Sequence, residues 1–138
     1  MAKTLSTTVH HIKDLRFVAE SPTHQRVMID NEQHARTGMS PMELVLSATA
    51  TCAAMDVQNM IKKRKLAINA YRVDIVGERT EGTPSPFTHI TAKHVFDVPG
   101  LDRRTAERFV NLATTKYCAV GLSLKAEITW EVELTHEE

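Results

Sequence analysis

Ser40 to Lys65, SPMELVLSATATCAAMDVQNMIKKRK, is the stretch on which the fold turns. Ser40 is placed to cap a helix, Pro41 suits the first helical position, and Glu43 lies three residues after Ser40, where it can complete a capping box. Four basic residues, Lys62 to Lys65, close the far end, where they complement the negative end of the helix dipole. From Leu44 to Val57 the only ionisable side chains are Cys52 and Asp56. Apolar and small residues run all the way round, which predicts a helix covered on most sides with Cys52 deep in the protein.

The segments flanking this helix alternate with the period of strands. Lys3–Lys13, Leu15–Glu20 and Gln25–Asp30 read as three short strands of an antiparallel meander, joined by turn residues such as Ser21-Pro22. Residues 31–39, NEQHARTGM, read as a polar loop feeding the helix. After it, Ile68–Glu78 places Tyr71, Val73 and Ile75 on one face. Thr88–Val98 places Ile90, Ala92, Phe96 and Val98 on one face with His94 among them.

Asp102 is a suitable N-cap for a second helix, amphipathic, with Ala106, Phe109, Val110 and Ala113 on its buried stripe. Lys116–Ser123 reads as a short helical turn carrying Cys118, and Leu124–Leu134 as a closing strand with Leu124, Ala126, Ile128, Trp130, Val132 and Leu134 inward. Runs of strands separated by helices predict an α+β fold with mainly antiparallel sheet and a long buried central helix. A helix apolar all round needs cover on both sides, which predicts a homodimer.

The chain has 138 residues, enough for one domain over 1–138 that buries roughly 68% of its unfolded surface. Lys and Arg total 17 and so do Asp and Glu, so no net basic charge marks a nucleic-acid partner or a membrane surface. The Lys62–Lys65 run reads as a solvated helix end. The first residues lack the continuous apolar core of a secretory signal, and no uncharged apolar run is long enough for a bilayer. These features predict a cytoplasmic protein, in which two cysteines are either inert core residues or redox-active thiols. No histidine spacing suggests a metal site, and no glycine-rich phosphate loop or nucleophile elbow is present, so neither metal nor cofactor is expected.

If Cys52 is a reactive thiol, its activation must come from outside its helix. It lies about three turns from Ser40, beyond the reach of the dipole at the helix start, and burial alone raises a thiol pKa. Arg16, Arg26 and Arg36 are the candidate cations, from the same chain or from its dimer mate. Cys118, near the start of a short helix, is placed to gain thiolate character from that helix.

SPMELVLSATATCAAMD, the later KYCAVGLSL and the terminal alternating strand resemble the OsmC/Ohr family of thiol-dependent peroxidases, in its OsmC-like branch with Ser-Pro-Met-Glu before the cysteine helix. The resemblance follows the order of elements along nearly the whole chain and is most specific around the two cysteines. It implies an intertwined homodimer with the cysteine helix at its centre and two sites at the dimer interface. It also implies a first cysteine, Cys52, that attacks the O–O bond of an organic hydroperoxide, and a second, Cys118, that resolves the resulting sulfenic acid to a disulfide. A small dithiol such as a lipoyl group then reduces that disulfide. The family's carboxylate follows the helix proline and holds an activating arginine. Met42 occupies that position here and Glu43 comes next, so Glu43 and Arg36 are the residues the resemblance assigns. The alternatives on the same fold are a non-catalytic protein binding a hydrophobic ligand and a redox sensor.

Overall fold

The computed structural model describes residues 3–136, which divide into two compact units, one up to Val45 and one from Leu46. The first unit is the meander. Strands β1 (Thr8–Lys13), β2 (Arg16–Glu20) and β3 (Arg26–Asp30) pair antiparallel in chain order, with Val18 opposite His10 on one side and Met28 on the other. The first strand is shorter than the alternation predicts, because Lys3–Thr7 find no strand partner.

One buried carboxylate organises the exit from this meander. Asp30, with no solvent exposure, accepts hydrogen bonds from Arg16 Nε (3.2 Å), the Thr37 amide (2.8 Å) and hydroxyl (3.1 Å), and the Glu32 amide (2.8 Å). Burial pushes its carboxyl up, but these donors together outweigh that and bring it down to about 2. The loop is therefore wound round an ionised side chain and returns to β3, where the Asp30 amide donates to the Met39 carbonyl at 3.0 Å. Gly38 permits this approach, since a Cβ there would come within 2.6 Å of the Met28 carbonyl oxygen.

Helix α1 (Pro41–Lys63) starts where the capping residues predict. Glu43 N donates to Ser40 Oγ at 3.2 Å while Ser40 N donates to Glu43 Oε1 at 3.0 Å, so both halves of the capping box form. Ser40→Ala removes one of them, and urea unfolding of this variant is expected to show a loss of about 1 kcal/mol.

The second unit holds the rest of α1 and a three-stranded sheet in the order β4 (Ala70–Arg79), β5 (Phe87–Asp97), β6 (Glu127–Leu134). β4 and β5 are antiparallel, with Tyr71 opposite Phe96 and Val73 opposite His94. β5 and β6 are parallel, with Ile90 beside Ile128 and His94 beside Val132. Parallel neighbours need a long crossover. It is supplied by α2 (Arg103–Leu112), a π-helical turn (Ala113–Tyr117) and the one-turn helix α3 (Ala119–Leu122). Asp102 caps α2 as predicted, and Ala106, Phe109, Val110 and Ala113 are buried.

The fold is thus α+β and mainly antiparallel, with one parallel pair that the alternation did not reveal. The core of this unit joins Val57 and Ile61 of α1 to Phe96 and Val98 and to the α2 stripe. Within the single chain α1 buries one stripe, Thr49, Ala53, Val57 and Ile61, at the i, i+4 spacing of one helix face. Ala48, Thr51 and Met55 on the other side are exposed, Met55 by 62%. Among the described residues no helix is long and apolar enough to cross a membrane.

Candidate functional site

Cys52 and Cys118, 66 residues apart in sequence, are brought together in the second unit, and both are free thiols. Cys52 projects from α1 one turn beyond Thr49 and is half-buried; Cys118 is 2% exposed. The π-helical turn positions the second thiol. Its closing bond runs from the Cys118 amide to the Ala113 carbonyl at 2.8 Å, five residues back. In an α-helix residues five apart point roughly 140° away from each other. The wider turn narrows that angle, so Cys118 joins Ala113 in the core while Tyr117 stays exposed.

Cys118 is also the N-cap of α3. Its Sγ accepts from the Gly121 amide at 3.3 Å and donates to the Thr49 carbonyl on α1 at 3.7 Å, and the Cys52 thiol is near enough to act on it electrostatically. The expectation that a helix start favours its thiolate is corrected here. Burial pushes the Cys118 thiol up, the Gly121 amide opposes this, and Cys52 and the Asp56 carboxylate push it further up. A four-residue helix offers too little dipole to overcome removal from water. Cys118 is therefore a protonated thiol, the less accessible of the two. Asp56, four residues after Cys52, stands out in the sequence as the one carboxylate between Leu44 and Val57, and its i+4 spacing puts it on the cysteine's side of α1.

The three arginines that are candidate activating cations lie in the first unit. Each of the three candidate arginines has a carboxylate: Arg16 with Asp30 (3.2 Å), Arg26 with Glu20 (2.9 Å) and Arg36 with Glu43 (2.7 Å). The pairing of Glu43 with Arg36 joins the two residues singled out from the sequence. Glu43 Oε1 accepts from both Ser40 N and Arg36 Nη2, so one oxygen serves as helix cap and as arginine holder. The Ser40 amide and hydroxyl hold the Glu43 carboxyl below the usual range, and Arg36 adds to this against the effect of burial. Nine residues along α1 separate Glu43 from Cys52, about two and a half turns, so their side chains leave opposite sides of the helix.

Beneath the thiol helix, on the sheet, the Tyr71 hydroxyl and His94 Nδ1 are 2.6 Å apart, and both rings stack with Phe96. His94 has no exposure, and its Nε2 has no hydrogen-bond partner among the described residues. His89, five residues before His94 on the same strand, faces the other way and is partly exposed, its Nε2 3.0 Å from the Thr129 hydroxyl.

Comparison with known proteins agrees with this architecture. The sequence profile of the family described as OsmC-like protein matches residues 32–133. Protein YhfA of Escherichia coli K12 is 30% identical over 132 residues, covering 96% of this chain and 95% of that one. The crystal structure of an OsmC-like protein from Mycoplasma pneumoniae superposes with a TM-score of 0.82 at 19% identity, covering 99% of this chain and 100% of its own. The organic hydroperoxide resistance protein OhrB of Bacillus subtilis shares the fold, with a TM-score of 0.61 at 18% identity and coverage of 96% and 98%. With its profile match spanning the cysteine helix, the crossover and β6, the chain belongs to the OsmC-like protein family.

Proposed function

We propose that the protein reduces organic hydroperoxides through a two-thiol cycle, as a cytoplasmic antioxidant enzyme acting against oxidative stress. The observation that carries this reading is the nearness of a half-buried Cys52 to a buried Cys118 whose thiol burial pushes up. The Cys52 thiolate attacks one oxygen of the O–O bond. That bond breaks, the alkoxide takes a proton to leave as alcohol, and Cys52 becomes a sulfenic acid. Cys118 then attacks the Cys52 sulfur, water leaves with the Cys118 proton, and a disulfide forms. A small dithiol reduces the disulfide, is itself oxidised, and returns both thiols.

The difference between the two thiols suits the order of steps. The accessible one meets the oxidant, and the buried one is spared over-oxidation until the sulfenic acid is beside it. For the thiolate we assign Arg36, held by Glu43, as the stabilising cation. Because Glu43 and Cys52 leave opposite sides of α1, we assign the pair to the thiol of a second copy in a homodimer, and the uncovered face around Ala48, Thr51 and Met55 supports such a copy. Light scattering at micromolar concentration is expected to give the dimer mass, and a monomer contradicts this arrangement. Arg36→Gln is expected to slow Cys52 oxidation about tenfold, the effect of losing one cation near a thiolate.

The test of the overall reading is consumption of cumene hydroperoxide in the presence of dihydrolipoamide. Catalytic consumption in many-fold excess over protein supports it. Rapid disulfide formation with no turnover in any dithiol points instead to a redox sensor.

A further inference from the structure

In the second unit an open groove of about 540 Å³ lies between the last turns of α1, α2 and the π-helical turn. That is the size range of pockets that hold small organic molecules. Met60, Phe109 and Leu112 give it an apolar wall. Its charge is one-sided: Lys63, Arg64 and Arg108 line it against a single acid, Asp56.

Two of these cations lie over one of the groove's own aromatic rings. The Arg64 and Arg108 guanidinium carbons lie over the Phe109 ring at 5.7 and 5.6 Å from its centre, and Lys116 Nζ lies 5.5 Å from the centre of the Tyr117 ring. Arg64 is felt by the Asp102 carboxylate, but neither arginine makes an ion pair among the described residues. The dipole at the end of α1 accounts for Lys62 and Lys63 but gives nothing to Arg108, which lies in the middle of α2. Two guanidinium groups on one ring, with the Lys63 ammonium lining the same groove, repel one another, and a multiply charged anion relieves that repulsion. In a chain with no net charge this concentration is local, and the Lys62–Lys65 run is the solvated helix end expected of it, all four residues being exposed.

We propose that this groove binds an organic phosphate, its dianionic phosphoryl group held by Arg64 and Arg108 with Lys63 beside it. The apolar body of the ligand lies along Met60 and Leu112. Arginine forks match phosphate oxygens in pairs, and the dianion answers a surplus of positive charge that a monoanion answers only in part.

Calorimetric titration of the 138-residue chain with hexyl phosphate tests this, run above the second phosphate pKa of roughly 6. Hexanoate, inorganic phosphate and hexanol serve as the monoanion, the headgroup alone and the body alone. Hexyl phosphate is expected to bind at least about tenfold more tightly than any of the three, and to weaken as salt rises. The double variant Arg64→Gln/Arg108→Gln is expected to lose about tenfold or more for hexyl phosphate. Equal binding of hexanoate, equal binding of inorganic phosphate, or full affinity in the double variant each overturns the proposal. None of these ligands has an O–O bond, so the outcome is separate from that of the thiol chemistry, and the comparison of ligands on the unaltered protein does not depend on the variant folding.

Discussion

Cys52→Ser is expected to lower hydroperoxide consumption to the uncatalysed rate, while Cys118→Ser is expected to consume one equivalent and stop. The asymmetry follows from the accessibility of the two thiols. Cys52, half-buried on α1, is the sulfur an oxidant reaches; Cys118, 2% exposed and kept protonated by burial, is not. A serine at position 52 has no sulfur to accept oxygen, so no step of the cycle begins. A serine at position 118 leaves the first step intact but removes the sulfur that forms the disulfide, so a dimedone-reactive sulfenic acid at Cys52 accumulates. Peroxide loss and mass spectrometry of both variants read these outcomes directly. Equal loss of activity from both substitutions, with no sulfenic acid in Cys118→Ser, contradicts the assigned order.

The second large effect concerns stability and acid. Burial brings His94 from its ordinary value of 6.5 down to about 4, because a cation among Tyr71, Phe96 and the facing strands has no compensating charge. Above pH 6.5 the histidine is neutral in both folded and unfolded chains, and its contribution is fully present. As pH falls from 6.5 to 4 the unfolded chain binds a proton that the folded one refuses, and stability drops by about 3 kcal/mol across that window. The Asp30 carboxylate loses its contribution lower down, as pH falls from its ordinary value of 3.8 towards about 2, so the two groups separate on a pH axis. Tyr71 sets the alkaline limit, since burial raises its hydroxyl above 10.0 and stability is lost as the unfolded chain ionises.

His94→Phe is expected to flatten the profile between pH 6.5 and 4. It also leaves the Tyr71 hydroxyl without the partner now 2.6 Å away, at a cost of about 1–3 kcal/mol. Adding Tyr71→Phe is expected to recover most of that cost. Urea unfolding of the single and double variants across this pH range measures both effects.

Those two groups also mark how far the sequence was readable. The entry to α1 was legible because Ser40, Pro41 and Glu43 each perform a local task at a fixed spacing, and both predicted capping bonds form. The faces of β4 and β5 followed from strict alternation, which placed His94 inward before any coordinates. The parallel pairing of β5 with β6 was not legible, because alternation records which face a residue takes and carries no record of which strand lies beside it.

Candidate residues can be named from the sequence, while their geometry cannot. Cys52, Cys118, Glu43 and Arg36 are such candidates, and of these Glu43 and Arg36 form an ion pair. The role of the π-helical turn in directing Cys118 depends on a single backbone bond, Cys118 N to Ala113 O, which has no residue signature. The protonated state of Cys118 follows from burial, which spacing along the chain cannot report. The uncovered face of α1 follows the same logic. Its composition announced that both sides need cover, while the single chain supplies only the side along Thr49, Ala53, Val57 and Ile61.

The central claim is that Cys52 and Cys118 act as one redox unit. Its most direct test is to treat the fully reduced protein with one equivalent of cumene hydroperoxide, then count free thiols and map the disulfide by peptide mass. Both thiols are expected to disappear together, with a Cys52–Cys118 disulfide inside one chain and a mass lower by two hydrogen atoms. Retention of both thiols, or oxidation of Cys52 alone to sulfinic acid with Cys118 still free, contradicts it.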